Sequence, residues 1–124
     1  MSIATDQQDK YALITLSVDK LNTLNAPDVK AEFVEITNAG TRNIIIDLSA
    51  VSFVDSSGLS AILTASRLCK NLKGTIVLSG LNDNVLKLIN ISQLDNILHI
   101  VPTNKEAIDL VLMHEIEQEI KGDE

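Results

Sequence analysis

Aromatic side chains are scarce in this sequence: Tyr11, Phe33 and Phe53 are the only ones among 124 residues, and there is no tryptophan. Basic residues are also few, because 10 Lys and Arg stand against 17 Asp and Glu, which gives a formal net charge of -7. Nucleic-acid-binding surfaces usually combine a basic face with aromatic side chains that stack on bases. The composition therefore argues against a nucleic-acid partner.

Cysteine and long apolar runs are nearly absent as well. The single cysteine, Cys69, excludes an internal disulfide framework and suits a reducing compartment. No apolar run approaches the roughly 20 residues that span a bilayer, and the opening segment MSIATDQQDK lacks the basic-then-apolar layout of a signal peptide. We therefore expect a cytoplasmic protein without membrane insertion.

The sequence does contain enough apolar residues, 45% of the total, to bury a sizeable aliphatic core. Short β-branched or alternating runs predict strands at residues 11–18, 43–48, 75–78 and 97–101. Apolar residues at spacings of three and four predict helices at residues 28–39, 58–72, 82–91 and 104–121. This alternation predicts an α/β fold, with one domain spanning residues 1–124.

The last predicted helix, residues 104–121, combines an apolar stripe with acidic residues. Glu115, Glu117 and Glu119 are predicted to form a solvated face of the helix. The apolar stripe is predicted from the following residues: Ala107, Ile108, Val111, Leu112, Ile116 and Ile120. Because this stripe is long, self-association through it stays open, and we expect a monomer or a weak dimer.

Two single residues outside this helix are assigned to the interior. Cys69 lies on the apolar stripe of its predicted helix, and free cysteines are often buried, so it is predicted to be a core residue. Phe53 is predicted to pack beneath the loop that precedes Gly58.

The most informative segment is residues 47–59 (DLSAVSFVDSSGL), between a buried-type strand and an amphipathic helix. Asp55, Ser56 and Ser57 fall at the start of that helix, and two roles compete for them. As an N-cap, such a side chain accepts a backbone hydrogen bond, and its replacement by alanine costs about 1 kcal/mol. As a phosphoacceptor, a serine at a helix N-terminus would sit where negative charge is tolerated. Residue types alone favour capping and leave phosphorylation open.

Several motifs in order resemble the STAS domain family, named for sulfate transporters and anti-sigma-factor antagonists. The central motif consists of Asp47-Leu48-Ser49, Val51, Phe53 and Asp55-Ser56-Ser57-Gly58-Leu59. It is preceded by Leu21-Asn22-Thr23-Leu24-Asn25-Ala26-Pro27 and followed by residues 74–80 (GTIVLSG) and 85–98. The resemblance covers nearly the whole chain and implies a mixed central sheet with helices packed largely on one face.

For function, the resemblance implies an anti-sigma-factor antagonist. In that group the anti-sigma factor is also a serine kinase, which uses ATP to phosphorylate the second serine of the motif, here Ser57. Phosphorylation abolishes binding, and a metal-dependent serine phosphatase reverses it. The docking surface would comprise Asp55, Ser56, Ser57, Gly58 and Leu59, with Gly58 letting the partner's backbone approach closely. The chain itself would need no catalytic residue, cofactor or metal.

The sequence departs from the family pattern at three positions. The family often has Asp where this chain has Asn22, and Gly where it has Ser60 and Ser92. None of these changes removes the acceptor serine, but Ser60 lies beside the docking surface and bears on kinase specificity.

Two other functions compete with that of an antagonist switched by phosphorylation. The protein could be a constitutive adaptor of the same family, for example a subunit that binds a lipid-transporter ATPase, with Ser57 acting as a helix cap. An enzyme would need a base positioned for Ser56 or Ser57, and the two histidines, His99 and His114, occur in unrelated patterns. We therefore expect a protein without catalytic activity.

Overall fold

The structure is a computed structural model and describes residues 2–122. In chain order its elements are β1 (Ile3–Gln7), β2 (Ala12–Leu16), β3 (Lys20–Leu21), α1 (Ala26–Asn38), β4 (Ile44–Asp47), β5 (Phe53–Val54), α2 (Ser56–Asn71), β6 (Ile76–Ser79), α3 (Asp83–Ile91), a 3-10 turn (Leu94–Asn96), β7 (His99–Val101) and α4 (Asn104–Gly122). The four predicted strands and four predicted helices are all present, with shifted ends.

The main sheet has the spatial order β1-β2-β4-β6-β7. Strands β2, β4, β6 and β7 run parallel to one another, and β1 pairs antiparallel with β2, with Ile3 opposite Leu16. A second, small parallel sheet joins β3 to β5, with Leu21 opposite Val54. The mixed sheet that the family resemblance implies is confirmed.

Alternate residues of the central strands bury against two different layers. Ile44 and Ile46 of β4 belong to the main core, which α1, α2 and α3 cover. Ile45 lies on the opposite face with Val111, in a smaller cluster that α4 covers. Because successive strand side chains point to opposite faces, the apolar run of β4 serves both layers. The helices thus lie largely on one face, as predicted.

Helix α4 packs on the sheet through a stripe that agrees with the predicted one only in its first half. Its buried residues are Ala107, Val111 and Glu115, spaced four apart. Ile116 and Ile120 of the predicted stripe are exposed instead. The predicted apolar stripe is therefore wrong in its second half, because a buried carboxylate takes the place of an apolar residue.

The contacts of Glu115 explain which face of α4 packs on the sheet. The prediction that Glu115 lies on a solvated face is wrong. Arg42 donates from Nε and Nη2 to the two carboxylate oxygens over 2.7 and 2.9 Å, and Asn43 Nδ2 donates to Oε1 over 2.5 Å. The hydrogen bond from Arg42 is the largest influence and, against the opposing effect of burial, it lowers the pKa of Glu115 to about 2. Glu115 thus fastens α4 to the start of β4.

Cys69 is buried in the main core, which confirms its predicted place. Burial raises the pKa of its thiol to about 12. None of the helices in the described range 2–122 is both long enough and apolar enough to cross a bilayer.

Candidate docking and phosphorylation site at the start of helix α2

Helix α2 starts at Ser56, two residues before the predicted start, because Asp55 provides its N-cap. The Asp55 Oδ1 atom accepts a hydrogen bond from the Gly58 backbone N–H over 2.9 Å. The first helical hydrogen bond runs from the Leu59 N–H to the Asp55 carbonyl. Ser56 and Ser57 therefore occupy the first turn, where backbone N–H groups have no partner within the helix. This is the end of a helix at which an anion is favoured.

The two serines differ in accessibility. Ser56 is exposed, whereas Ser57 is half-buried. The Ser57 hydroxyl lies 3.1 Å from the hydroxyl of Thr23. Leu59 is partly buried and packs against the main core. The predicted docking residues are thus contiguous, but they do not share one exposed face.

Gly58 is buried, and its lack of a side chain has an internal cause. A Cβ atom at this position would lie 2.6 Å from the Leu21 carbonyl oxygen and 2.7 Å from Val54 Cγ1. These contacts are shorter than van der Waals distances, so α2 packs directly on the small sheet of β3 and β5. Gly58 therefore serves close packing within the chain, and the approach of a partner's backbone to it stays a prediction.

Thr23 also belongs to this site, although the sequence places it only in the motif before α1 and not in the predicted docking surface. Its backbone N–H donates to Asp55 Oδ2 over 3.3 Å, and its hydroxyl lies 3.4 Å from the same oxygen. Asp55 thus caps α2 with one carboxylate oxygen and holds Thr23 with the other. Thr23 and Ser57 are 34 positions apart, and the pairing of β3 with β5 and the packing of α1 against α2 bring them together.

The turn that carries Thr23 is closed by side-chain amides. Asn22 Oδ1 accepts from the Leu24 N–H over 3.0 Å, and Asn25 Oδ1 accepts from the Asn22 N–H over 2.8 Å. Asn25 Nδ2 in turn donates to the Lys20 carbonyl over 2.7 Å. Asn22, where the family often has Asp, thus retains an acceptor oxygen at this position.

A groove of about 860 Å³ opens beside the serines, between α1 and α2. Pro27 and Val34 of α1 contribute apolar wall, Lys30 contributes a cation, and Ser57 and Ser60 line the α2 side. Ser60, where the family often has Gly, therefore faces this groove next to the motif.

Phe53 does not pack beneath the loop as predicted: it is 51% exposed. In β5 the neighbouring Val54 is buried, so alternation along the strand turns Phe53 outward. Phe53 borders a small groove of about 300 Å³ with Leu88 and Ile91 of α3, and Ile91 is 69% exposed. Phe53, just before the motif, and Ile91 of α3 therefore present exposed apolar side chains along one groove.

Neither histidine of the described residues 2–122 lines the groove beside the serines. His99 and His114 line a separate cavity instead. Within residues 2–122 no group of three or more His, Cys, Asp and Glu side chains is placed to hold a metal ion. Asp47 lies at the end of β4. Burial by itself would raise the pKa of its carboxyl, but the hydrogen bonds that the carboxylate accepts from the Ser49 N–H and Asn104 Nδ2 together outweigh burial, so the pKa is lowered.

In sequence and in fold, the chain is similar to proteins named as anti-sigma factor antagonists. An anti-sigma-B factor antagonist of Staphylococcus aureus (strain NCTC 8325 / PS 47) is 29% identical over 101 residues, which cover 81% of this chain and 92% of that protein. The crystal structure of an anti-sigma factor antagonist from Mycobacterium paratuberculosis superimposes with a TM-score of 0.78 at 20% identity, over 88% of this chain and 92% of the other.

The Bacillus cell fate determinant SpoIIAA, solved in its phosphorylated form, superimposes with a TM-score of 0.70 at 22% identity, over 88% of this chain and 98% of the other. These two structures establish the likeness in fold. The STAS domain matches residues 2–107, which contain every element from β1 to β7 and the start of α4. The chain therefore belongs to the STAS domain family.

Proposed function

We propose that this protein is an anti-sigma-factor antagonist whose α2 start docks on an anti-sigma factor with serine kinase activity. Phosphorylation of Ser57 by that kinase ends the interaction, and a metal-dependent serine phosphatase restores it. The observation that carries the proposal is a pair of serines in a capped first helical turn, bordered by exposed apolar side chains. The relatives named as anti-sigma factor antagonists support the same function.

Asp55, and not a serine, caps helix α2, which favours a phosphorylation switch over a purely capping role for Ser57. Asp55 makes the N-cap hydrogen bond to Gly58, so Ser57 is not needed for capping. Its hydroxyl contacts another hydroxyl, that of Thr23, at 3.1 Å. A serine without a capping role can be modified without unwinding the helix.

Phosphorylation would change this surface through charge. A phosphate adds about −1.5 to −2 charges at neutral pH, and the helix N-terminus tolerates them. A partner that docks here must remove water from the surface, and removing water from a dianion is costly unless the partner supplies cations. Asp55, bonded to the same Thr23, adds a carboxylate to the local field. A partner that recognises the unphosphorylated surface should therefore bind the phosphorylated surface more weakly.

Ser56 is a second candidate acceptor, and one observation favours it. Its side chain is exposed, whereas Ser57 is half-buried and contacts Thr23. The family resemblance assigns Ser57, and accessibility favours Ser56, one position earlier in the same turn. Both assignments give the same switch, because either phosphate lies in the first turn of α2.

The partner supplies the chemistry in this proposal. ATP and its metal belong to the kinase, and this chain contributes the acceptor hydroxyl and the docking surface. We place the interaction in the cytoplasm, where anti-sigma factors meet their sigma factors. The competing proposal is a fixed adaptor, for example for a transporter ATPase, in which the serines stay unmodified.

Titration calorimetry with a purified anti-sigma-factor kinase from the same organism tests the proposal. Ser57→Ala should bind in the presence of ATP without being phosphorylated, and Ser57→Asp should bind at least about tenfold more weakly. Ser56→Ala and Ser56→Asp are the matched pair at the neighbouring position. If both Asp variants bind as tightly as the unmodified protein, charge in this turn is not the switch.

A further inference from the structure

The turn before α1 places one apolar side chain almost entirely in water. Leu24 is 88% exposed and follows Thr23, whose hydroxyl contacts Ser57. We propose that Leu24 is an apolar anchor for the kinase partner, and that Thr23 holds it in register with the serines. This inference rests on the proposed function and extends the docking surface beyond residues 55–59.

The exposure of Leu24 is a feature of a well-ordered turn. The Leu24 N–H is bonded to Asn22 Oδ1, and the Ala26 N–H donates to the Asn22 carbonyl over 2.8 Å. Asn25 closes the other side of the turn through the Lys20 carbonyl. The backbone under Leu24 is therefore held in one conformation. An anchor on a preorganised backbone loses less conformational entropy on binding than one on a mobile loop.

The position of Leu24 relative to the serines is set through one carboxylate. Asp55 Oδ1 accepts from Gly58 in α2, and Asp55 Oδ2 accepts from the Thr23 N–H. The turn and the first turn of α2 are thus joined at a shared group. A partner that covers the Ser57 hydroxyl also meets Thr23, whose hydroxyl lies 3.1 Å away, and Leu24 is the next residue along the chain.

The surroundings suit an apolar segment of a protein. The groove between α1 and α2 starts at Thr23 and continues along Pro27 and Val34. Interfaces draw most of their binding energy from a few apolar or aromatic anchors near the centre, surrounded by polar residues. Leu24 directly follows Thr23, which lines this groove together with Ser56 and Ser57, so an anchor at Leu24 would be sensitive to the state of the serines.

The link through Thr23 also predicts how phosphorylation acts. Phosphorylation converts the Ser57 hydroxyl that contacts Thr23 into an ester oxygen, which can no longer donate a hydrogen bond, and it brings negative charge next to the Thr23–Asp55 pair. The phosphate therefore acts on the position of Leu24 as well as on the charge of the surface. Removal of the Thr23 hydroxyl should loosen the same link without adding charge.

The test is the affinity of full-length variants for the purified kinase, measured by calorimetry without ATP. Leu24→Ala should raise the Kd at least about tenfold, which is the effect of losing a central anchor. The matched control is Ile116→Ala, since Ile116 is 54% exposed on α4, away from the site, and this variant should bind within about twofold of the wild type. Thr23→Val should weaken binding, and Thr23→Ser, which keeps the hydroxyl, should restore it.

A phosphorylation assay separates docking from chemistry. With Leu24→Ala as substrate, the KM should rise by the same factor as the Kd, while kcat stays near that of the wild type. Circular dichroism and thermal melting establish that each variant is folded. Wild-type affinity of Leu24→Ala overturns the anchor and leaves the proposed function standing. A wild-type protein that neither binds the kinase nor accepts phosphate from it overturns both.

Discussion

Replacement of Glu115 by glutamine tests how α4 is attached to the sheet. The pKa of this carboxyl falls from an ordinary value of 4.5 to about 2 in the folded protein. One pKa unit corresponds to about 1.4 kcal/mol, so the full shift corresponds to about 3 kcal/mol. Because Arg42 keeps 32% of its side chain exposed, solvent screens part of this interaction. We expect Glu115→Gln to lower the free energy of unfolding at pH 7 by about 2 kcal/mol.

The pH dependence gives a sharper signature than the loss at one pH. A carboxyl with a lowered folded-state pKa stabilises the fold fully above its unfolded pKa of 4.5. That contribution decreases as the pH falls from about 4.5 to about 2 and is absent below, because both states are then protonated. The free energy of unfolding should thus converge for wild type and Glu115→Gln as the pH falls towards 2.

Urea unfolding between pH 7 and pH 2, followed by circular dichroism, measures both effects. The matched control is Glu117→Gln, which removes an exposed carboxylate from the same helix and should change stability by less than about 0.5 kcal/mol. The reasoning fails if Glu115→Gln behaves like this control, or if its difference from wild type is the same at pH 7 and at pH 2.5.

Three further predictions concern packing and reactivity. Val111→Ser should lower the free energy of unfolding by about 2 kcal/mol or more, because Val111 is buried. Ile116→Ser on the same helix should leave it nearly unchanged, because Ile116 is exposed. Equal effects of the two substitutions in denaturant melts would contradict the face of α4 that packs on the sheet. Gly58→Ala should destabilise the protein by more than about 1 kcal/mol, since its Cβ meets a backbone oxygen at 2.6 Å, and a wild-type melting temperature would refute that close contact. Cys69, with a pKa of about 12, should react with a thiol reagent at pH 8 only as fast as the protein unfolds, so rapid stoichiometric labelling of the native protein would count against its burial.

The elements of this fold that bury a whole run of apolar residues could be predicted from the sequence. The strand around Ile45 could be predicted because Ile44, Ile45 and Ile46 form a short β-branched run, which is typical of a strand buried on both faces. Strand β1 was missed for the opposite reason. Four of its five residues are exposed, and it forms as an edge strand through backbone pairing with β2.

The errors at α4 and Phe53 have a common physical origin in long-range contacts. The register of α4 depends on Glu115, whose partners Arg42 and Asn43 lie more than 70 positions away. An amphipathic pattern treats every carboxylate as solvated, so it assigned this one to the wrong face. Phe53 turned outward because β5 pairs with β3, a pairing of two short strands without a local signature.

The candidate site likewise has local features that could be predicted from the sequence and long-range contacts that could not. The motif at residues 55–59 and its place at a helix start were visible in the sequence, because capping residues and helical periodicity are local. The contact between Thr23 and Ser57 and the groove beside them depend on the pairing of β3 with β5 and on the packing of α1 against α2, and Leu24 is exposed on the turn between β3 and α1. These features required the tertiary structure.

The most direct test of the central claim is intact-mass analysis of the protein purified from its native cells, with mapping of any phosphate by peptide sequencing. The account predicts a fraction that is heavier by one phosphate, located on Ser57. Phosphate on Ser56 instead would keep the switch and move the acceptor by one position. Absence of phosphate under every growth condition, with a stable ATPase or transporter subunit recovered alongside the protein, would contradict the account and establish a fixed adaptor.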